Sequence, residues 1–134
     1  LQPLPTQLYI SLVAPDRETY QRICNPLRSD GWERLLESLE LMRGLPTRRA
    51  IRITAVRRLN MYRPEEYARL IALAEPDFVE VKGYMWVGYS RMRMKLENMP
   101  SHGDVVDFAR RIAENSGYRV AAESEPSRVV LLKK

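Results

Sequence analysis

The feature that most constrains this chain is a period-two alternation that recurs in three short stretches, each followed by residues at helical spacing. In LYISLVAP, Leu8 to Pro15, an extended strand places Leu8, Ile10 and Leu12 on one face and Tyr9, Ser11 and Val13 on the other. In RAIRITAV, Arg49 to Val56, Ile51, Ile53 and Ala55 oppose Arg52 and Thr54. In the third stretch Val79 and Val81 oppose Glu80 and Lys82. A strand flanked by helices ordinarily hides both faces in apolar packing. Polar residues on the same side three times over therefore favour an open barrel, with one face of the sheet against helices and the other lining a wet interior. The fold class is α/β, with parallel strands and right-handed crossovers. The functional end lies where the strands finish, rimmed by the loops after Val13, Val56 and Lys82.

The intervening segments carry their own start and stop signals. Asp16 is placed to cap a helix over Arg17 to Cys24, which ends before Asn25-Pro26. A second helix follows Asp30, with Trp32, Leu35, Leu36, Leu39 and Met42 as its core-facing stripe and Gly44 and Pro46 as its end. Pro64 opens a helix through Ala74, with Glu65 and Glu66 near its positive end. Ser101 with Asp104 forms a capping box, aspartate replacing the usual glutamate, for a helix that Gly117 stops at about Ser116. The tail predicts two strands joined around Glu125-Pro126-Ser127, either a hairpin or a last parallel strand with an edge partner.

Length and composition narrow the function classes. The 134 residues fit one domain, 1–134, with a real core. Twenty-two basic against seventeen acidic side chains give a net charge of +5, which suits a polyanion such as nucleic acid but is shared by many ordinary proteins. Cys24 is the single cysteine, so these residues form no internal disulfide and ligate no iron–sulfur cluster; no metal site is expected. A reducing, cytoplasmic setting is the expectation, and no apolar run approaches membrane-spanning length. The start at Leu1 rather than methionine is what a piece of a longer or processed protein would show.

Chemistry concentrates between Pro76 and His102. Lys82 on an inward strand face suits a Schiff base with a keto acid or a contact to a carboxylate; an ion pair with Glu80 explains it equally well. Glu80 accepts hydrogen bonds from an amine or neutralises Lys82. Beyond Gly83 the chain packs Tyr84, Met85, Trp86 and Tyr89, and then delivers Ser90, Arg91, Arg93 and Lys95. An extended RMRMK strip sets its three cations on one side, suited to successive phosphates, and the aromatic rings suit stacking on an unpaired base. A charge run is also an ordinary solvated face. His102, at a helix start, serves as acid or base or is simply a polar first-turn residue.

LYISLVAP, WERLLESLELM, RITAV-x-x-LNM, PDFVEVKGYMWVGYSR, ENMPSH and VVDFA occur in this order between about Gln7 and Leu132. In that order they resemble the later half of the tRNA 4-demethylwyosine synthases, radical S-adenosylmethionine enzymes of wybutosine synthesis. The resemblance implies a partial (β/α) barrel, the later half of a radical S-adenosylmethionine barrel. It implies condensation of a pyruvate-derived two-carbon unit with N1-methylguanosine beside the anticodon of phenylalanine tRNA. It implies S-adenosylmethionine and a [4Fe-4S] cluster as cofactors, with Ser11, Arg52 and Thr54 where strands of this superfamily touch the ribose, amino and carboxylate groups. Arg52 suits a carboxylate because its planar fork meets two oxygens at once; a salt bridge to Glu80 is its plainer role.

Two departures stand against the pattern. The family's CxxxCxxC loop is absent, so this chain alone is expected to be inactive without a cluster-bearing N-terminal half. Val13 replaces the aspartate of the family's SLDAP, which puts a cofactor contact there in doubt. A rival reading is a non-catalytic RNA-binding module on a barrel-derived scaffold. A half barrel would also expose the edge of its first strand, and self-association is expected from it.

Overall fold

A computed structural model describes residues 7–24, 31–84 and 99–134. The elements follow as β1 (Gln7–Leu12), α1 (Arg17–Cys24), α2 (Gly31–Met42), β2 (Arg48–Ala55), α3 (Pro64–Ala74), β3 (Phe78–Gly83), α4 (His102–Ser116), β4 (Arg119–Ser124) and β5 (Val129–Lys133). They build one five-stranded sheet in the order β1-β2-β3-β5-β4. The first three strands run parallel, as their helical crossovers require. The tail folds as a hairpin whose β5 runs antiparallel to β3, which decides between the two expectations and makes the sheet mixed.

The alternation read from the sequence is the alternation of the sheet. Leu12, Ile51, Ile53, Ala55, Val79, Val81, Val130 and Leu132 are buried in one core with Leu39 and Met42 of α2, Tyr67, Leu70 and Ile71 of α3, and Val105, Phe108 and Ile112 of α4. Each large aliphatic side chain removed from water there contributes about 1.5–3 kcal/mol. On the other face Ser11 and Lys82 are exposed, and Arg52, Thr54 and Glu80 only half-buried. No described helix covers that face.

Local signals set the helix ends. The Asp16 carboxylate accepts from the Thr19 backbone N–H at 2.8 Å and starts α1. The Ser101 hydroxyl accepts from the Asp104 N–H, and the Asp104 carboxylate accepts from the Ser101 N–H, both at 3.1 Å, completing the capping box. Gly117, at φ 80, ends α4 in the left-handed region that glycine enters without penalty.

The joint between β2 and α3 is the least ordinary backbone in the fold. Arg58 and Arg63 both sit in the left-handed region, at φ 70 and 53, which costs a non-glycine residue about 1–2 kcal/mol each. Asn60, fully buried, offsets that strain. Its amide donates to the Val13 carbonyl at 2.8 Å and the Thr54 carbonyl at 2.7 Å, and its oxygen accepts from the Val56 N–H at 2.7 Å. The Tyr67 hydroxyl in turn donates to the Asn60 carbonyl at 3.0 Å. One side chain thus ties the ends of β1 and β2 to the loop that leaves them.

Asn60→Ala strands two carbonyls and an N–H in the interior. We expect it to lower unfolding free energy by about 2–4 kcal/mol in chemical denaturation, since each unsatisfied buried group costs about 1–3 kcal/mol; a change under 0.5 kcal/mol would remove Asn60 from this role.

Candidate active face

Cross-strand register brings the sequence-predicted residues of the three parallel strands into two adjacent rows. Ser11 pairs with Arg52 and Arg52 with Glu80 in one row; Thr54 pairs with Lys82 in the next. Side chains directly opposite one another share a face at about 4.5–5.5 Å, so all five stand together on the uncovered side.

Within this face one interaction differs from the expectation for Lys82. Glu80 accepts from Arg52 Nε at 2.9 Å and does not pair with Lys82. The reason is distance, because Arg52 is the direct cross-strand neighbour of Glu80, whereas Lys82 lies two residues along the same strand. The Glu80 hydrogen bond outweighs burial at Arg52 and raises the guanidinium pKa. The same guanidinium lies 4.6 Å over the ring of Tyr9, which meets Phe78 edge to face at 6.3 Å. Arg52 is therefore held on one edge by a carboxylate and on one face by a ring. Lys82 makes no hydrogen bond or ion pair with another described residue. Tyr9 was not among the sequence candidates; its place opposite Ile10 in the alternation was the available signal.

The remaining candidates divide. Tyr84 continues the strand pairing, its N–H donating to the Ala55 carbonyl at 2.8 Å, and its buried hydroxyl has no partner among the described residues. His102 opens α4 and sets Nε2 2.7 Å from the Glu123 carboxylate. Glu123 shares a row with Val130, which pairs with Val81 on the helix-covered side. His102 is thus on the opposite side of the sheet from Lys82. Trp86, Ser90, Arg91, Arg93 and Lys95 lie outside the described residues. Among the described residues no group of three or more His, Cys, Asp or Glu side chains is arranged to hold a metal ion, and no helix is long and apolar enough to cross a membrane.

A second network braces the rim at the carboxy ends of β1 and β2. Asp16 accepts from Arg63 Nη1 at 2.7 Å as well as from Thr19, and the Thr19 hydroxyl meets the Tyr62 hydroxyl, which also accepts from Arg22 at 3.0 Å. Burial pushes the Asp16 pKa up, but the Thr19 hydrogen bonds and Arg63 outweigh it and hold the carboxyl below the ordinary range.

With this geometry in view, comparison with known proteins is direct. A family model described as wyosine base formation matches residues 73–134. A tRNA 4-demethylwyosine synthase of Pyrococcus horikoshii, named as S-adenosyl-L-methionine-dependent, is 55% identical over 130 residues, covering 96% of this chain and 38% of its own length. The chain belongs to the family of tRNA 4-demethylwyosine synthases. A structure of TYW1 with a lysine-pyruvate adduct bound superimposes with a TM-score of 0.85 at 38% identity, covering 96% of this chain and 41% of that one. A crystal structure of archaeal TYW1 superimposes with a TM-score of 0.77 at 32% identity, covering 96% and 39%. The chain spans about two fifths of the length of the synthases it matches. Family membership thus covers the whole α/β unit described here, including both rows of the open face.

The Asp16 carboxyl yields a pH dependence. Its folded pKa is lowered, so its contribution is complete above the ordinary aspartate value and is lost as pH falls through the folded value. Denaturant titrations on the acid side should show this loss in the unaltered chain and a flatter acid limb in Asp16→Asn; parallel limbs would rule the network out as a source of acid sensitivity.

Proposed function

We propose that this chain forms the later half of a radical S-adenosylmethionine barrel in a 4-demethylwyosine synthase. The complete enzyme condenses a pyruvate-derived two-carbon unit with N1-methylguanosine beside the anticodon of phenylalanine tRNA. The single observation that carries the reading is the polar face that no described helix covers, where Lys82 has no partner among the described residues because Arg52 occupies Glu80. That the relatives are synthases by name, and that one neighbour holds a lysine-pyruvate adduct, supports this over a stand-alone RNA-binding module. The edge of β1, which among the described strands pairs with β2 alone, is where the rest of the barrel wall docks or where copies self-associate.

The cofactors fit these residues unequally. One cysteine cannot ligate a [4Fe-4S] cluster, so no step is assigned to a cluster on these 134 residues. S-adenosylmethionine fits better. Arg52, half exposed with Nε already held by Glu80, offers its remaining N–H groups to a carboxylate, and Ser11 and Thr54 offer hydroxyls in the same two rows. When bound beside a reduced cluster, this cofactor supplies a radical that abstracts hydrogen. Glu80 orients Arg52, and the Tyr9 ring keeps the guanidinium lying over the sheet.

Lys82 acts on pyruvate. Its amine nitrogen attacks the ketone carbon, a C–N bond forms, the carbonyl oxygen leaves as water, and the keto acid is held as a Schiff base on the strand. The neighbouring Thr54 hydroxyl is placed to hydrogen-bond within that row. Tyr84 and His102, with Trp86, Ser90, Arg91, Arg93 and Lys95, belong to the tRNA side of this reading.

Borohydride reduction in the presence of pyruvate should trap an adduct on Lys82 by peptide mass spectrometry, and Lys82→Arg, which keeps the charge, should abolish it. An adduct on a different lysine, or one that survives in Lys82→Arg, would end the assignment.

A further inference from the structure

We infer that the β2–α3 loop and the first turns of α4 form a separate RNA-phosphate site, in which Arg57, Arg58 and Arg111 take the backbone of the substrate RNA. The inference rests on the tRNA reading above but uses none of the residues of the Lys82 face.

The loop is built to hold charge in a fixed place. Arg57 and Arg58 are exposed, yet the backbone that carries them is tied down by the buried Asn60. Arg58 and Arg63 keep left-handed conformations that persist only where surroundings impose them, and such residues cluster at functional sites. A loop already ordered loses less entropy when a ligand binds.

Across from it, α4 presents Asp104, Asp107, Phe108 and Arg111, and with Met61 the two elements enclose a cleft of about 240 Å³. Met61 and Phe108 give it an apolar floor. Asp107 binds Arg111 by its Nε edge at 3.1 Å, and Arg111 makes no other ion pair among the described residues, so its Nη groups remain to donate. A planar guanidinium matches two phosphate oxygens at once, which a lysine cannot do.

The two aspartates choose between anions. They disfavour a free phosphate dianion in the cleft, whereas an RNA diester carries one charge per nucleotide and runs along the arginine rim. The cleft opens at the carboxy end of β2, the end at which the parallel β3 presents Lys82. An RNA strand entering the open face at that end passes the loop.

The test is fluorescence anisotropy of labelled tRNA with this chain across a salt series. Arg58→Gly removes the guanidinium at a position where glycine takes the left-handed backbone without strain, and its thermal unfolding is measured beside the parent to show that it is folded. Its affinity should nonetheless fall about tenfold, and the slope of log K against log salt should shrink by about one; Arg57→Ala should behave alike. Arg69→Ala, on the exposed face of α3, should change neither. Unchanged affinity and slope in both loop variants, with the parent still binding tRNA, would mean that these arginines only balance the aspartates and would overturn the inference alone. Inorganic phosphate competing beyond its ionic strength would reassign the cleft to a free anion. Failure of the parent chain to bind tRNA at all would overturn the tRNA reading together with this site.

Discussion

Everything else in this structure depends on a sheet that the described helices pack on one face only. The apolar rows of β1, β2, β3 and β5 bury against α2, α3 and α4, while the alternate rows keep Ser11, Arg52, Thr54, Glu80 and Lys82 in contact with solvent. A charged side chain survives on a central parallel strand only where it is paired or where its face is wet. Here the face is wet, and that allows a lysine and a half-exposed ion pair to stand in the middle of a sheet.

Competition for Glu80 gives that face its chemistry. Two cations are within reach of one carboxylate, and the register hands it to Arg52, the direct cross-strand neighbour. The pair gains little stability at this exposure, since such ion pairs contribute about 0–1 kcal/mol. Its consequence is positional. Arg52 is fixed between Glu80 and the Tyr9 ring, and among the described residues nothing pairs with the Lys82 amine. The joint after β2 works by the same economy, because Asn60 ties its start to the ends of β1 and β2 and Asp16 holds Arg63, while Arg58 and Arg63 keep a backbone they would not adopt alone.

Much of this was legible beforehand. The α1 and α3 boundaries, the Ser101 capping box and the Gly117 stop rest on contacts within four residues, and the sequence pattern carried them. The polar phase of the three parallel strands was legible for the same reason, since residues two apart on a strand must share a face. The tail was ambiguous because a hairpin and a parallel edge strand have the same alternation; only pairing with β3 separates them. Asn60 was visible as part of a motif but not as a clasp, since its three partners include Val13, distant in sequence. His102 was legible by its place at a helix start, but not its contact with Glu123 on the side of the sheet away from Lys82, because Glu123 is distant in sequence.

By itself, then, the sequence determined which residues are strand or helix and which face of each strand is polar, because both depend on local periodicity and composition, and the order of its motifs carried the resemblance to the family. The tertiary structure decided which charges meet. Strand order and register set Arg52, rather than Lys82, opposite Glu80, turned β5 antiparallel, and brought Arg57 and Arg58 across a cleft from α4. Those outcomes depend on distances between segments that the chain alone does not encode in any single stretch.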